Sequence, residues 1–129
     1  MSAFTRAHVQ RCREAWNTPQ LAELFIAFCQ SCDLSDVPSR MRLEEIDGVQ
    51  LTLDIIRDQK DPILMSRAWL VLQNFVLLHS VDDPNEMKPI EIFVERGGVE
   101  LAAIELNRPE PRWGQTILTM VFAYTPPYK

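Results

Sequence analysis

Apolar residues recur every three or four positions along most of the chain, and no segment alternates apolar and polar residues as a β-strand does. This spacing predicts an all-α protein in which proline, glycine and acidic residues mark the breaks between helices. Thr18 is placed to cap the second helix, with Pro19 at its first position. The predicted helices cover residues 3–16, 19–32, 38–46, 49–59, 62–80, 89–96, 99–107 and 111–125.

The order of these elements repeats within the chain. Residues 43–51 (LEEIDGVQL) align with residues 93–101 (FVERGGVEL), and the acid–proline step at 61–62 aligns with the step at 110–111. Each copy contains a short helix, a glycine corner, a middle helix, an acid–proline step and a long helix. A repeat of this length and helical content is typical of stacked helical repeats.

In these aligned segments the chain resembles the armadillo-repeat family. The resemblance is carried by the corner glycines Gly48 and Gly98, the acid–proline steps, and a third helix of Ala-x-x-x-Leu-x-Asn type at Ala68–Val76. A corner glycine tolerates a positive φ and a close approach of two helices. The resemblance implies an armadillo-like α-solenoid fragment of about two to two and a half repeats. The single domain 1–129 then comprises a helical hairpin (1–35), repeat one (36–80), a loop (81–89), repeat two (89–125) and a tail (126–129).

The resemblance also implies a peptide-binding groove on the concave face of the long helices. In armadillo proteins an asparagine on the third helix binds the backbone of an extended peptide, and Asn74 occupies that position here. Arg67 and Leu70 precede it on the same helix, and Gln115 and Thr119 lie on the equivalent helix of the second repeat. A fixed amide suits this role because it offers an acceptor and two donors.

The charge of the chain limits its partners. The net charge is −5, and the 18 acidic residues outnumber 13 basic residues that form no stripe. Nucleic acid is therefore not expected as a direct partner.

No apolar run reaches the ~20 residues that span a bilayer. Three cysteines are too few for a secreted disulfide scaffold, so we expect an intracellular, cytoplasmic protein, with a mitochondrial presequence at the arginine-rich start as the alternative.

Cys29 and Cys32 have the two-residue spacing of metal-binding and redox motifs. A zinc site needs four ligands, and the available helpers are His8 and Cys12 on the first helix. In a helical hairpin these four side chains do not converge, because Cys12 is too close to the turn. We therefore expect buried cysteines with no metal and no cofactor. A small metal or redox protein using Cys29 and Cys32 stays as the third-ranked alternative.

No arrangement of residues in the sequence indicates catalysis. His79 has no serine or cysteine nucleophile placed recognisably near it. The acid pairs at 44–45 and 82–83 are typical of solvated helix faces, and no glycine-rich phosphate loop is present. We expect no enzymatic activity and assign no catalytic residue.

The first-ranked hypothesis is a non-catalytic protein–protein interaction scaffold, a small structural subunit of a larger assembly. The end repeats of a solenoid normally carry a polar cap, whereas the predicted helix 111–125 is apolar all round. Leu118 and Phe122 are expected on the side where another repeat would stack, covered by another protein or by a second copy of the chain. Peptide binding through the concave face is the second-ranked alternative.

Overall fold

Seven α-helices make up the part of the chain that the computed structural model describes, residues 4–77 and 87–107. No β-strand occurs within those residues, so the predicted all-α class is confirmed. The predicted helix 111–125 and His79 lie outside them. The helices are α1 (Arg6–Glu14), α2 (Gln20–Ser31), α3 (Val37–Glu45), α4 (Gly48–Asp58), α5 (Pro62–Val76), α6 (Lys88–Glu95) and α7 (Gly98–Leu106).

At the start of three of these helices, a polar side chain accepts a hydrogen bond from a backbone N–H of the first turn. Thr5 Oγ1 accepts from His8 N at 3.2 Å before α1, and Asp36 Oδ1 accepts from Ser39 N at 2.8 Å before α3. Asp61 Oδ1 accepts from the backbone N–H two residues on, at 2.8 Å, before α5. These bonds satisfy backbone donors that a helix start leaves without a partner inside the helix.

The start of α2 differs from the prediction. Thr18 does not cap this helix, because its hydroxyl donates to the Ala15 carbonyl oxygen at 2.6 Å and so closes the preceding turn. Pro19 stands at the N-cap position in a helical conformation, and no side chain accepts a bond from the first turn. α5 also differs, since it ends at Val76 and not at residue 80.

The chain divides into two compact units, Met1–Val71 and Leu72–Lys129, and each is described by itself. In the first unit α1 packs against α2 and α4, and α3 packs against α4. Aromatic rings join the N-terminal helices. The Phe28 ring lies 5.9 Å from Phe4, edge to face, and 6.0 Å from Phe25. All three rings are buried and form one end of the core.

A polar network ties α1 to α4 at the edge of this core. Asp54 Oδ2 accepts from Arg13 Nη1 at 2.7 Å, and Asp54 Oδ1 accepts from Arg57 Nη1 at 2.7 Å and from Gln50 Nε2 at 2.9 Å. The Asp54 side chain is only 18% exposed. Three donors on one partly buried carboxylate make this a stronger contact than an isolated surface ion pair.

The corners before α4 and α7 share one backbone geometry. Asp47 has φ 70° and ψ 20°, and Gly97, fifty residues later (97 − 47 = 50), has φ 86° and ψ 18°. The preceding residues, Ile46 and Arg96, also match, with φ of −87° and −89° and ψ of 8° in both. The alignment made from the sequence therefore pairs two corners of the same backbone form.

The corner glycines were expected to have a positive φ and to allow a close approach of two helices. The first expectation is wrong, because neither glycine has the left-handed conformation. Gly48 and Gly98 are the first helical residues, and the positive φ falls on the residue before each. The expected close approach is present. A Cβ on Gly98 would lie 2.4 Å from the Phe93 ring, and a Cβ on Gly48 would lie 2.5 Å from Leu43 Cδ1. Glycine is needed there because the side chain five residues earlier fills the space.

In the second unit α6 packs against α7. Its buried apolar side chains include Ile90 and Phe93 on α6 and Leu101 on α7. Ile104 and Leu106, near the end of α7, are exposed.

Arg40 on α3 is fully buried in the first unit. Its Nε donates to the Leu34 carbonyl oxygen at 2.8 Å, while Nη1 and Nη2 have no hydrogen-bond partner among the described residues. The aligned position in the second copy is Ile90 (90 − 40 = 50), which is also fully buried. A guanidinium group thus occupies a position that is apolar in the other copy.

Candidate functional site

Large apolar side chains are exposed on α5, just after it, and on α7. Five large apolar side chains are exposed within the described residues, and three of them follow one another at seven-residue spacing: Ile63 at 58%, Leu70 at 42% and Leu77 at 39%. The other two, Ile104 and Leu106, lie in the last turn of α7. Helical residues seven apart lie on one face, so Ile63 and Leu70 share a face of α5, and we call this pair the α5 ridge. Leu77 directly follows the last residue of α5.

Three of the predicted binding residues lie on this exposed face. Arg67, Leu70 and Asn74 are all exposed, and their spacing of three and four residues places them together. The opposite face of α5 is buried, as the repeat alignment predicts, with Ala68, Leu72 and Phe75 at or near zero exposure. The other predicted binding residues lie outside the described part of the chain: Gln115, Leu118, Thr119 and Phe122.

The face around the ridge carries little charge. Arg67 is the only charged residue between positions 62 and 77. The residues beside the ridge on its other side, Ser66 and Gln73, are polar and neutral. A solvent-exposed helix face normally carries many charged residues, whereas the centres of protein interfaces are depleted of charge but retain arginine. The exposed face of α5 therefore carries fewer charges than a typical solvent-exposed helix face.

Of the three cysteines that were expected to be buried, Cys12 is buried, whereas Cys29 and Cys32 are half-buried. Burial raises the pKa of Cys12 to about 11 and that of Cys29 to about 12, although the nearby Arg67 partly offsets the rise at Cys29. Burial also raises the pKa of Cys32 above its ordinary value of 9.0, and the neighbouring Cys29 adds to the rise. Thiols with raised pKa values stay protonated near neutral pH, and the protonated form is a poor nucleophile and a poor metal ligand.

The histidine that could assist Cys29 and Cys32 is engaged elsewhere. His8 Nε2–H donates to the Leu24 carbonyl oxygen at 2.7 Å, and its ring stacks on Phe28 at 6.2 Å. Within residues 4–77 and 87–107, no three His, Cys, Asp or Glu side chains are grouped so as to hold a metal ion.

The sequence prediction missed one member of the α5 ridge. It selected Leu70 through the armadillo resemblance but not Ile63. The signal was present in the sequence, since positions 63 and 70 are large aliphatic residues one heptad apart. Helical spacing alone could not show that this pair faces outward, because the buried face of α5 is equally apolar.

Comparison with known proteins adds no relative for this chain. No family model matches it, and neither a curated protein nor a solved structure does. The armadillo resemblance therefore stays a prediction from the residues. Among the described helices, none has the length and apolar character needed to cross a membrane.

Proposed function

We propose that this protein is a non-catalytic protein–protein interaction scaffold of the armadillo-like type, acting as a small subunit of a larger assembly. One observation carries the proposal, the α5 ridge of Ile63 and Leu70 on a nearly uncharged exposed face. Burying one large aliphatic side chain contributes ~1.5–3 kcal/mol. A partner that covers both side chains would gain a substantial part of the free energy of association, since ~1.4 kcal/mol is a factor of ten in affinity.

Peptide binding by the same face is the second candidate. Asn74 is exposed beside Leu70 and Arg67, so its amide is accessible to the main chain of an extended peptide. The two candidates differ in which residue matters most. A docked apolar surface depends on Leu70, whereas a clamped peptide backbone depends on the Asn74 amide.

Thiol chemistry has less support than either candidate. The raised pKa values of Cys12, Cys29 and Cys32 oppose the thiolate that redox catalysis or metal binding needs. The proposal therefore assigns no catalytic residue to the chain.

The test compares the proteins retained from an extract of the native source by three forms of the immobilised chain. These are the wild type, Leu70→Glu and the control Ile104→Glu. Ile104 is 59% exposed and lies on a different helix, α7. Quantitative mass spectrometry should find at least one protein retained by the wild type and the control and lost with Leu70→Glu. Identical sets for all three forms would refute the assignment of this surface.

Asn74→Ala separates the two candidates. If the lost protein is still retained by Asn74→Ala, apolar docking on the ridge accounts for binding. If Asn74→Ala abolishes binding as fully as Leu70→Glu, the peptide-clamp candidate takes its place. Circular dichroism of each variant checks that the helices remain folded, which is expected because all three substituted positions are exposed.

A further inference from the structure

Helix α3 buries two side chains, and one of them is charged. Arg40 and Leu43 are both fully buried. Arg40 Nε donates to the Leu34 carbonyl oxygen at 2.8 Å, whereas Nη1 and Nη2 have no hydrogen-bond partner among the described residues. Burial removes the hydration of the guanidinium group, and one bond to a neutral carbonyl replaces only part of it. The docked position of α3 therefore carries a cost that is relieved when Arg40 reaches water.

The described contacts between α3 and the other helices of the first unit are weak ones, apart from Leu43. That leucine packs against the first residue of α4. Arg6 Nη2 donates to the Glu45 carbonyl oxygen, and the Arg42 guanidinium lies 6.0 Å from the centre of the Phe4 ring. Both arginines are exposed, and contacts of exposed charged side chains contribute little to stability. The bond made by Arg40 does not add to these contacts, because it joins α3 only to the loop before it.

The aligned helix of the second copy, α6, is held differently. It buries Pro89, Ile90 and Phe93 and no charged residue. Ile90 occupies the position of Arg40, so α3 has a buried charge where α6 has an apolar contact. A helix shorter than ~12–15 residues is marginal on its own. The nine residues of α3 therefore depend on docking for their helical structure.

We infer that α3 opens locally, undocking and unfolding over residues 35–45 while α1, α2 and α4 stay folded. The residues on either side, Leu34 and Ile46, are buried and anchor the ends of the opening segment. The remaining helices keep their own contacts, since α1 packs against both α2 and α4. Proteins open first in the segments that have the fewest buried apolar contacts.

Local opening changes what the first unit presents to solvent. The Arg40 guanidinium becomes hydrated, and Leu43 leaves its place beside Gly48 and the Phe28 ring. The open form thus displays a positive charge and an apolar surface that the closed form hides. Arg40 sets the balance between the two forms, because its charge is disfavoured only in the closed one.

Hydrogen exchange of the full chain, followed by mass spectrometry with increasing low concentrations of urea, tests the opening. Amides of α3 should exchange faster than those of α2 and α4. Their exchange should also depend less on urea, because opening a short segment exposes little surface.

Two substitutions on α3 test the role of the buried charge. Arg40→Met replaces the guanidinium group with an apolar side chain and should slow the α3 amides at least ~10-fold. Amides that exchange by complete unfolding should slow by the same factor, because Arg40 is also hydrated in the unfolded chain. The matched control Arg42→Met makes the same replacement at an exposed position of α3, and it should not slow the α3 amides.

Asp54→Ala distinguishes local opening from unfolding of the whole unit. Asp54 and Arg13 join α4 to α1, and this contact is intact when only α3 is open. The variant should therefore speed the α2 and α4 amides ~10-fold, the equivalent of ~1.4 kcal/mol, and leave the α3 amides unchanged. If the α3 amides speed up as much as those of α2 and α4, α3 opens only with the whole unit and the inference is overturned. Exchange of α3 that is unchanged or faster in Arg40→Met overturns it as well.

Discussion

Replacing Gly98 by alanine puts a methyl group where the Phe93 ring already lies. The added Cβ would be 2.4–2.5 Å from three atoms of that ring, whereas carbon atoms in good contact are ~3.5–4.0 Å apart. Phe93 is completely buried, so its ring must move by ~1 Å against a packed core. Overpacking of this kind costs ~1–3 kcal/mol, and the better helix propensity of alanine returns up to ~1 kcal/mol.

We expect Gly98→Ala to lower the free energy of unfolding by ~1–2 kcal/mol, which corresponds to a fall of ~4–8 °C in Tm for a chain of this size. Gly97→Ala should cost a similar ~1–2 kcal/mol for a different reason. Its φ of 86° is unfavourable for alanine, but the nearest atom to its Cβ is Glu100 Oε2 at an ordinary 3.5 Å. Urea denaturation followed by circular dichroism measures both variants.

A Phe93→Leu background separates the two causes. The smaller side chain leaves room for the methyl group, so most of the cost of Gly98→Ala should disappear there. The cost of Gly97→Ala should not change, because backbone strain does not depend on Phe93. Such a double-mutant cycle reports the coupling directly. If Phe93→Leu does not reduce the cost of Gly98→Ala, the steric account of this corner is wrong.

Three further perturbations test other parts of the structure. Asp54→Ala should cost ~1–2 kcal/mol in unfolding free energy because it removes the acceptor of three hydrogen bonds. Asp58→Ala, exposed on the same helix, should cost less than half as much, and equal costs would contradict the Asp54 network. At pH 8, Ellman's reagent should label the three cysteines slowly in the native protein and quickly in urea, because burial raises their pKa values; one fast native thiol would contradict this. The hydrogen bonds from Ser39 lower the pKa of Asp36 below its ordinary 3.8, so its stabilising contribution is present above pH 3.8 and is lost as the pH falls through the lowered pKa. Asp36→Asn should therefore flatten the dependence of Tm on pH below 3.8, and an unchanged acid limb would exclude Asp36 as its source.

Local spacing was sufficient to predict most of the helical architecture. The spacing of apolar residues placed all seven described helices, and the repeat alignment identified the inward face of α5 at Ala68, Leu72 and Phe75. Both results depend only on residues close together in the chain.

The positive φ was placed one residue too late at each corner, because glycine was assumed to supply it. At the first corner Asp47 adopts the left-handed conformation, which aspartate tolerates better than most residues.

Contacts between distant segments could not be predicted in the same way. Asp54 meets Arg13 across 41 positions, and periodicity shows which residues face inward but not which partner they find. The burial of Arg40 was missed because arginine is rarely buried. The signal in the sequence that position 40 is buried was the alignment of Arg40 with Ile90, an apolar residue. For the candidate site, the resemblance selected Arg67, Leu70 and Asn74, but only the three-dimensional structure shows that Ile63 is exposed on the same face of α5 as Leu70.

The buried Arg40 bears on how the chain avoids misfolding. A sequence with two similar corners can assemble wrongly during folding, with α3 docking on α7 in place of α4, and such errors are characteristic of repeat proteins. Arg40 satisfies one of its donors only through the Leu34 carbonyl oxygen of its own preceding loop. A misdocked α3 that broke this bond would bury the whole guanidinium group without a partner, which is strongly unfavourable. Arg40 therefore disfavours any packing of α3 that does not preserve its bond to Leu34.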